Sequence, residues 1–294
     1  MKPILIIMAT ILLLVAGFVL WITREPEPMA LLDAPVRARL DAMLPANAAD
    51  GNKVDTFTSF GDMYDVLLSD IRHARHHIHV LFFKYEPDGV GQEIGTLLAE
   101  QAQAGVEARL LYDDFLCRRW KWYYRQLEEQ GVETAGFGAI HLPFVRKRDY
   151  YRNHRKIIVI DGRVAYIGGI NVADRYLHGL GWGCWRDTVI RMEGPAAALA
   201  QHAFAADWRY ATGRLLASPE YFPQVPACGA LPVRIITSGP IGDGPAIMRH
   251  TVALLERATR YVWFESPYFI PPDAVRKAML HAARRGVDVR VLLP

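Results

Sequence analysis

Apolar positions in this chain fall into three patterns, and each predicts a different element. From Ile4 to Ile22 there are 19 residues without a charge. At about 1.5 Å per residue a helix of that length spans about 28 Å, close to the hydrocarbon thickness of a bilayer. A secretory signal would have a shorter apolar core and a small-residue cleavage site. The flank Trp21-Ile22-Thr23-Arg24-Glu25-Pro26 offers no such site, so the stretch reads as a transmembrane anchor. Lys2 and Arg24 nearly balance, which leaves the side faced by the rest of the chain unassigned. The second pattern alternates short β-branched runs with helical spacing. Between Phe57 and Leu111 it predicts strand, helix, strand, helix, strand, and the same order returns between Ile235 and Leu292. Gly105-Val106-Glu107-Ala108-Arg109 and Gly286-Val287-Asp288-Val289-Arg290 occupy the same place in the two units, the mark of an internal duplication. The third pattern is the unbroken run Ile157 to Ile160, closed by Asp161-Gly162 and followed by Val164 to Ile167, which predicts a β-hairpin.

Alternating strands and helices argue for an α/β architecture. The expected organisation is an anchor at 1–24, a juxtamembrane linker at 25–53 with some helical spacing between Leu31 and Asp50, a first domain at 54–215 and an incomplete second domain at 216–294. In front of the hairpin stand Asn153-His154-Arg155-Lys156. Residues two apart in a strand share a face, so His154 and Lys156 should project together and Arg155 away from them. A neutral imidazole can attack phosphorus or, protonated, give a proton to an oxygen, while an ammonium beside it stabilises charge on non-bridging phosphoryl oxygens. The pair therefore points to phosphoryl transfer. Asp161 has the opposite parity and sits at the turn, so it reads as mainly structural, capping the hairpin or pairing with a cation.

His154, Lys156 and Asp161 match H-x-K-x(4)-D, and on these residues the chain resembles the phospholipase D superfamily. Gly168-Gly169-Ile170-Asn171 resembles the family's G-[SG]-x-N segment, and Trp185-Arg186-Asp187-Thr188 with Gly194-Pro195 resembles its bacterial cardiolipin synthase branch. The resemblance implies a mixed β-sheet flanked by helices, here as one complete half plus the start of a duplicated second half behind an N-terminal transmembrane helix. It implies a phosphohistidine intermediate on one motif histidine, protonation of the leaving alcohol by a second, and no metal or other cofactor. It also implies that Asn171 contacts phosphate oxygens and that Asp187 orients His154. The substrate implied is phosphatidylglycerol, one molecule giving its phosphatidyl group to another with release of glycerol, at a bacterial inner membrane. Water as acceptor would make a phospholipase D or, on nucleic acid, a nuclease working as a homodimer; loss of the second motif would leave a non-catalytic membrane-bound protein. In the first unit the His-Lys pair follows the Gly-Val strand by roughly 45 to 50 residues, so a second pair is expected that far beyond Gly286. Pro294 comes well before that point. The chain is therefore expected to be a truncated product, or a homodimer if it is complete. The other chemistry known for cardiolipin synthesis needs a D-G-x(2)-A-R motif in a multi-helix membrane domain, and this chain has neither.

Composition narrows the partners. A formal charge of +3 is too mild to imply nucleic acid, which is not an expected partner. Three scattered cysteines, Cys117, Cys184 and Cys228, suggest neither a disulfide framework nor a zinc site. Charge is locally uneven: Arg146, Lys147, Arg148, Arg152, Arg155 and Lys156 face only Asp149, and Arg152 and Arg155 are expected to draw an anionic phosphodiester toward the motif. A second basic stretch, Arg118-Arg119-Trp120-Lys121-Trp122-Tyr123-Tyr124-Arg125, interleaves cations with aromatics as lipid-headgroup surfaces do, although the same aromatics could stack on single-stranded nucleic acid or face a core. His73, His76, His77 and His79 straddle a helix end and a strand start and are not expected to share a metal. Gly239-Pro240-Ile241-Gly242-Asp243-Gly244 lacks the Gly-Lys-Ser/Thr of a P-loop and reads as a turn. Asp113-Asp114 ends a strand and is followed by Phe115-Leu116-Cys117, where cardiolipin synthases often have Gly-Ser.

Overall fold

In a computed structural model, residues 10, 12–17, 33–46, 48–139, 151–179, 181, 183, 185–239 and 244–293 are described. Helix α1 (Ala34–Asp41) is followed by β1 (Lys53–Ser59), α2 (Phe60–Arg72), β2 (His77–Phe82), α3 (Gly89–Gln103), β3 (Glu107–Asp113), the single turn α4 (Asp114–Cys117), α5 (Lys121–Glu129) and β4 (Glu133–Phe137). Next come β5 (Ile157–Ile160), β6 (Val164–Gly168), α6 (Asp174–His178), β7 (Arg186–Glu193) and the long helix α7 (Ala197–Thr212). Strands β1 to β7 form one sheet in the order β1-β7-β6-β5-β2-β3-β4. β2, β3 and β4 are parallel neighbours, as crossover helices require, while β5, β6 and β7 are antiparallel.

Both faces of this sheet are covered, which explains the unbroken apolar run of β5. Ile158 and Ile160 join Ile78, Val80 and Leu110 in the core under α2, α3 and α5, whereas Ile157 and Val159 join Leu81, Leu111, Phe204 and Trp208 in the core under α7. The β5–β6 turn has Asp161 at φ 53° and Gly162 at φ 62°. Two positive-φ residues twist the chain as a hairpin needs, and a Cβ at Gly162 would lie 2.6 Å from Pro223 Cδ. Part of the segment expected as a linker is packed, with Leu40 of α1 buried in the α7 core.

The second unit comprises α8 (Ala246–Arg257), β8 (Tyr261–Glu265), α9 (Asp273–Arg284) and β9 (Asp288–Leu292). Tyr261 pairs in parallel with Asp288 as His77 pairs with Glu107, so the duplication is a repeat of structure as well as of sequence. One expected strand does not form: Ile235 to Ser238 is extended without a ladder. In the first unit β1 is held by its ladder with β7, and no ladder among the described residues includes Ile235 to Ser238. No helix among the described residues is long and apolar enough to cross a membrane. Most of Ile4 to Ile22 lies outside them, as do Arg146 to Asp149, Cys184 and Pro240 to Asp243.

Candidate functional site

His154 and Lys156 lie in an extended lead-in to β5, not within the strand, which starts at Ile157. Because Ile157 pairs with Leu81, this lead-in stands beside the C-terminal end of β2, where Phe83 follows the strand. The Phe83 ring meets the His154 imidazole edge-on, with centroids 4.5 Å apart, and lies 5.3 Å from the Lys156 ammonium. One aromatic thus seats both groups, and Lys156 Nζ donates to the His154 carbonyl at 2.8 Å. Partial desolvation of a side chain still open to solvent, reinforced by the Lys156 charge, holds the His154 imidazole below its ordinary pKa, which favours the neutral, nucleophilic form at neutral pH. The Lys156 ammonium is lowered to about 8 by burial, against the pull of Asp187.

The residues between them turn the other way. Asn153 Nδ2 donates to Asp207 at 2.7 Å, and Arg155 Nη1 donates to both carboxylate oxygens of Asp207 at 2.9 Å. Asp207 is a buried carboxylate on the inner face of α7, where Gln201 is the other buried polar side chain. Burial pushes its carboxyl up, and Arg155 and Asn153 oppose that shift. The period of two therefore puts His154 and Lys156 on Phe83 while Asn153 and Arg155 pin the segment to the helix behind. Arg155, read from the sequence as part of an electrostatic funnel, is committed to this ion pair. Asp207→Ala removes the buried acceptor of the Asn153 amide and of the partly exposed Arg155, and is expected to lower stability by about 1–3 kcal/mol. Equilibrium urea denaturation checks this, and a change within about 0.5 kcal/mol would refute the anchoring role.

The remaining sequence-derived residues occupy distinct places. Asn171 Oδ1 accepts from Lys84 N at 3.1 Å and its Nδ2 donates to the Tyr176 hydroxyl at 3.1 Å, tying the β6 exit to the residue after Phe83. The Asp187 carboxylate lies over Gly169, where a Cβ would be 2.3 Å from its Oδ1, so the second glycine of Gly168-Gly169 makes room for it. Asp187 acts electrostatically on Lys156 and accepts from Thr188 N at 2.7 Å. Arg152 Nη1 reaches Asp113 Oδ1 at 3.1 Å. Asp161 stands at the far end of β5 from His154, and its carboxylate accepts from the backbone N–H groups of Arg75, His76 and His77 at 2.7–3.0 Å, locking the hairpin turn to the start of β2. Phe83 and Asp207 carried no role in the sequence reading. A lone aspartate in an alanine-rich helix was the signal available for the second; the first had none beyond its place after a strand.

A cavity of about 360 Å³ opens beside His154, lined by Arg152, Lys156, Phe137, Ile167 and Ile235 to Gly239. A second, of about 540 Å³, shares Arg155, Ala203, Ile235 and Ile236 with it and adds Arg37, His202 and Arg249. Cationic and apolar walls together suit an anionic amphiphile. No cluster able to hold a metal occurs among the described residues. His77 and His79 are instead buried under α7, His79 stacked on Phe204 at 4.6 Å and bonded to Gln201 and Arg109.

Residues 67–208 match the family described as cardiolipin synthase, PLD-like domain. The cardiolipin synthase of Geobacillus sp. (strain WCH70) is 38% identical over 243 residues, covering 81% of this chain and 48% of that protein. The major cardiolipin synthase of Bacillus subtilis (strain 168) is 36% identical over 250 residues, covering 83% and 52%. Among solved structures, a phosphatidylserine synthase from Haemophilus influenzae Rd KW20 aligns with a TM-score of 0.56 at 15% identity over 88% of this chain and 66% of that one, a likeness of fold. The chain spans about half the length of the curated cardiolipin synthases it matches.

Proposed function

With residues 67–208 belonging to the cardiolipin synthase, phospholipase D-like domain family, we propose that this protein transfers a phosphatidyl group from one phosphatidylglycerol to another. The neutral imidazole of His154 attacks the donor phosphorus, a nitrogen–phosphorus bond forms, and the bond to glycerol breaks. The departing glycerol oxygen takes its proton from a second motif histidine, supplied by a second half or a second copy. That same histidine then accepts the proton of the acceptor's hydroxyl as its oxygen displaces His154, giving cardiolipin. Lys156 neutralises the phosphoryl oxygens, and Asp187 keeps its ammonium charged in a partly buried site. By resemblance Asn171 would contact the phosphate, and Arg152 lines the cavity in which it would sit.

The observation that carries this reading is the seating of His154 and Lys156 on one ring at a cavity walled by cations and apolar side chains. Location at a membrane is part of the proposal, through an anchor at Ile4 to Ile22. It is supported by the helical residues 12–17, whose Leu12, Leu13 and Leu14 are 68–73% exposed, a state water does not favour for three successive leucines. The test is product stoichiometry from phosphatidylglycerol labelled in its headgroup glycerol. One glycerol released per cardiolipin formed is expected; phosphatidic acid as the product would replace the synthase by a hydrolase.

A further inference from the structure

At the end of β3 the chain forms a knuckle, α4, a 3-10 turn at Arg118–Trp120 and the start of α5. Its aromatics divide. Tyr123 and Tyr124 are core residues, Tyr124 donating to the Tyr85 carbonyl at 2.6 Å. Phe115 and Trp122 are instead 55% and 57% exposed, and Trp120 is half-buried. Arg118, Arg119 and Arg125 are exposed around them and have no acidic partner among the described residues. The only acid between residues 114 and 125 is Asp114, which is held by Lys121 at 2.8 Å. Glu128 and Glu129 lie at the other end of α5, toward the N-terminal ends of β3 and β4.

The knuckle stands at the same end of the strands as the candidate site. β2 and β3 are parallel and end together at Phe82 and Tyr112, and the His154 lead-in enters beside that end. Two contacts join them. Asp113 caps α4 through the N–H groups of Phe115 and Leu116 and also receives Arg152 at 3.1 Å. Lys84, the residue after Phe83, sits 5.8 Å from the Trp120 ring.

We propose that this knuckle is a docking surface for an anionic phospholipid bilayer, with Phe115 and Trp122 entering the interface and Arg118, Arg119 and Arg125 paired to headgroup phosphates. Aromatic rings and guanidinium groups interleaved in this way suit the headgroup layer, where one end of a ring is apolar and the other wet. Docking at this end of the strands turns the His154 cavity toward the headgroups from which its lipids come. Only that consequence rests on the proposed transfer reaction; the docking itself stands on the knuckle.

The test uses the full chain with Phe115→Cys carrying an environment-sensitive fluorophore and with Cys184 and Cys228 replaced by Ser. The chain is reconstituted in phosphatidylcholine vesicles with or without phosphatidylglycerol. A blue-shifted emission is expected only with phosphatidylglycerol, and a label at Glu129→Cys should not respond. Arg118→Glu, Arg119→Glu and Arg125→Glu together should weaken the docked state on the order of a hundredfold and abolish the shift. High salt should do the same without any substitution. Equal emission in both lipid compositions, or a shift that appears with a single-stranded oligonucleotide and not with vesicles, would overturn the proposal. The readout requires no turnover, so the docking surface is tested apart from the transfer reaction, which stands or falls on the glycerol-to-cardiolipin stoichiometry.

Discussion

Replacing His154 by alanine is expected to abolish the covalent phosphoenzyme and to lower cardiolipin formation by at least about four orders of magnitude, because no other group can take over the bond to phosphorus. Its stability should change by only about 0.5 kcal/mol or less, since the imidazole is exposed and rests on Phe83 by one edge. The two readouts separate chemistry from folding. Alkaline quenching, which preserves phosphohistidine, followed by mass spectrometry of the protein and its lipids, supplies the measurement. Cardiolipin made at the parental rate by His154→Ala would remove the imidazole from the mechanism. Asp161→Asn should do the reverse: its carboxylate is spent on the backbone of β2, so its loss acts on the fold before it acts on the reaction.

The second large effect is acid sensitivity. Burial, with His76 and Arg109 nearby, lowers the His77 imidazole to about 3, and burial with His77 and Arg109 lowers His79 well below its ordinary value. Both are therefore neutral in the folded protein, while in the unfolded chain they bind protons below about pH 6.5. The unfolded state then holds the extra protons, so this contribution to stability is complete above about pH 6.5 and is lost as pH falls toward the folded values. Between pH 6.5 and pH 5 His77 should cost on the order of 2 kcal/mol, and His79 acts in the same direction. Urea denaturation of the parent and of His77→Gln at both pH values isolates the effect from the carboxylates, which titrate in both proteins. The variant should lose about 2 kcal/mol less than the parent across that interval. Identical losses would mean that His77 is not buried neutral. The cause is architectural: His77 and His79 point to the α7 face of a sheet covered on both sides, beside the Arg109 guanidinium, which pairs with Glu107 and Glu133 at 2.6 and 2.9 Å.

Much of this protein was decided by local chemistry and could be read without a structure. The β5–β6 hairpin follows from a β-branched run and an Asp-Gly turn whose φ angles are both positive. The alternation of strands and helices, its recurrence in the second unit and the two-residue spacing of His154 and Lys156 are likewise properties of short segments, because steric preference and side-chain period act between neighbours. The partners of those segments were decided only in the tertiary structure. Asp207 is 52 residues from Arg155 in sequence and Gln201 is 122 from His79, and neither helix position announces which strand it will meet. Phe83 became the seat of the site only because β5 enters antiparallel beside the end of β2. Asp161 reads as structural from its place at the turn, but only the fold supplies its partners, the backbone N–H groups of Arg75, His76 and His77 some 85 residues earlier. Ile235 to Ser238 has a strand's composition, yet no ladder among the described residues includes it. Periodicity and turn chemistry are local free energies and are written in the sequence; burial, pairing and pKa depend on what the fold brings from elsewhere.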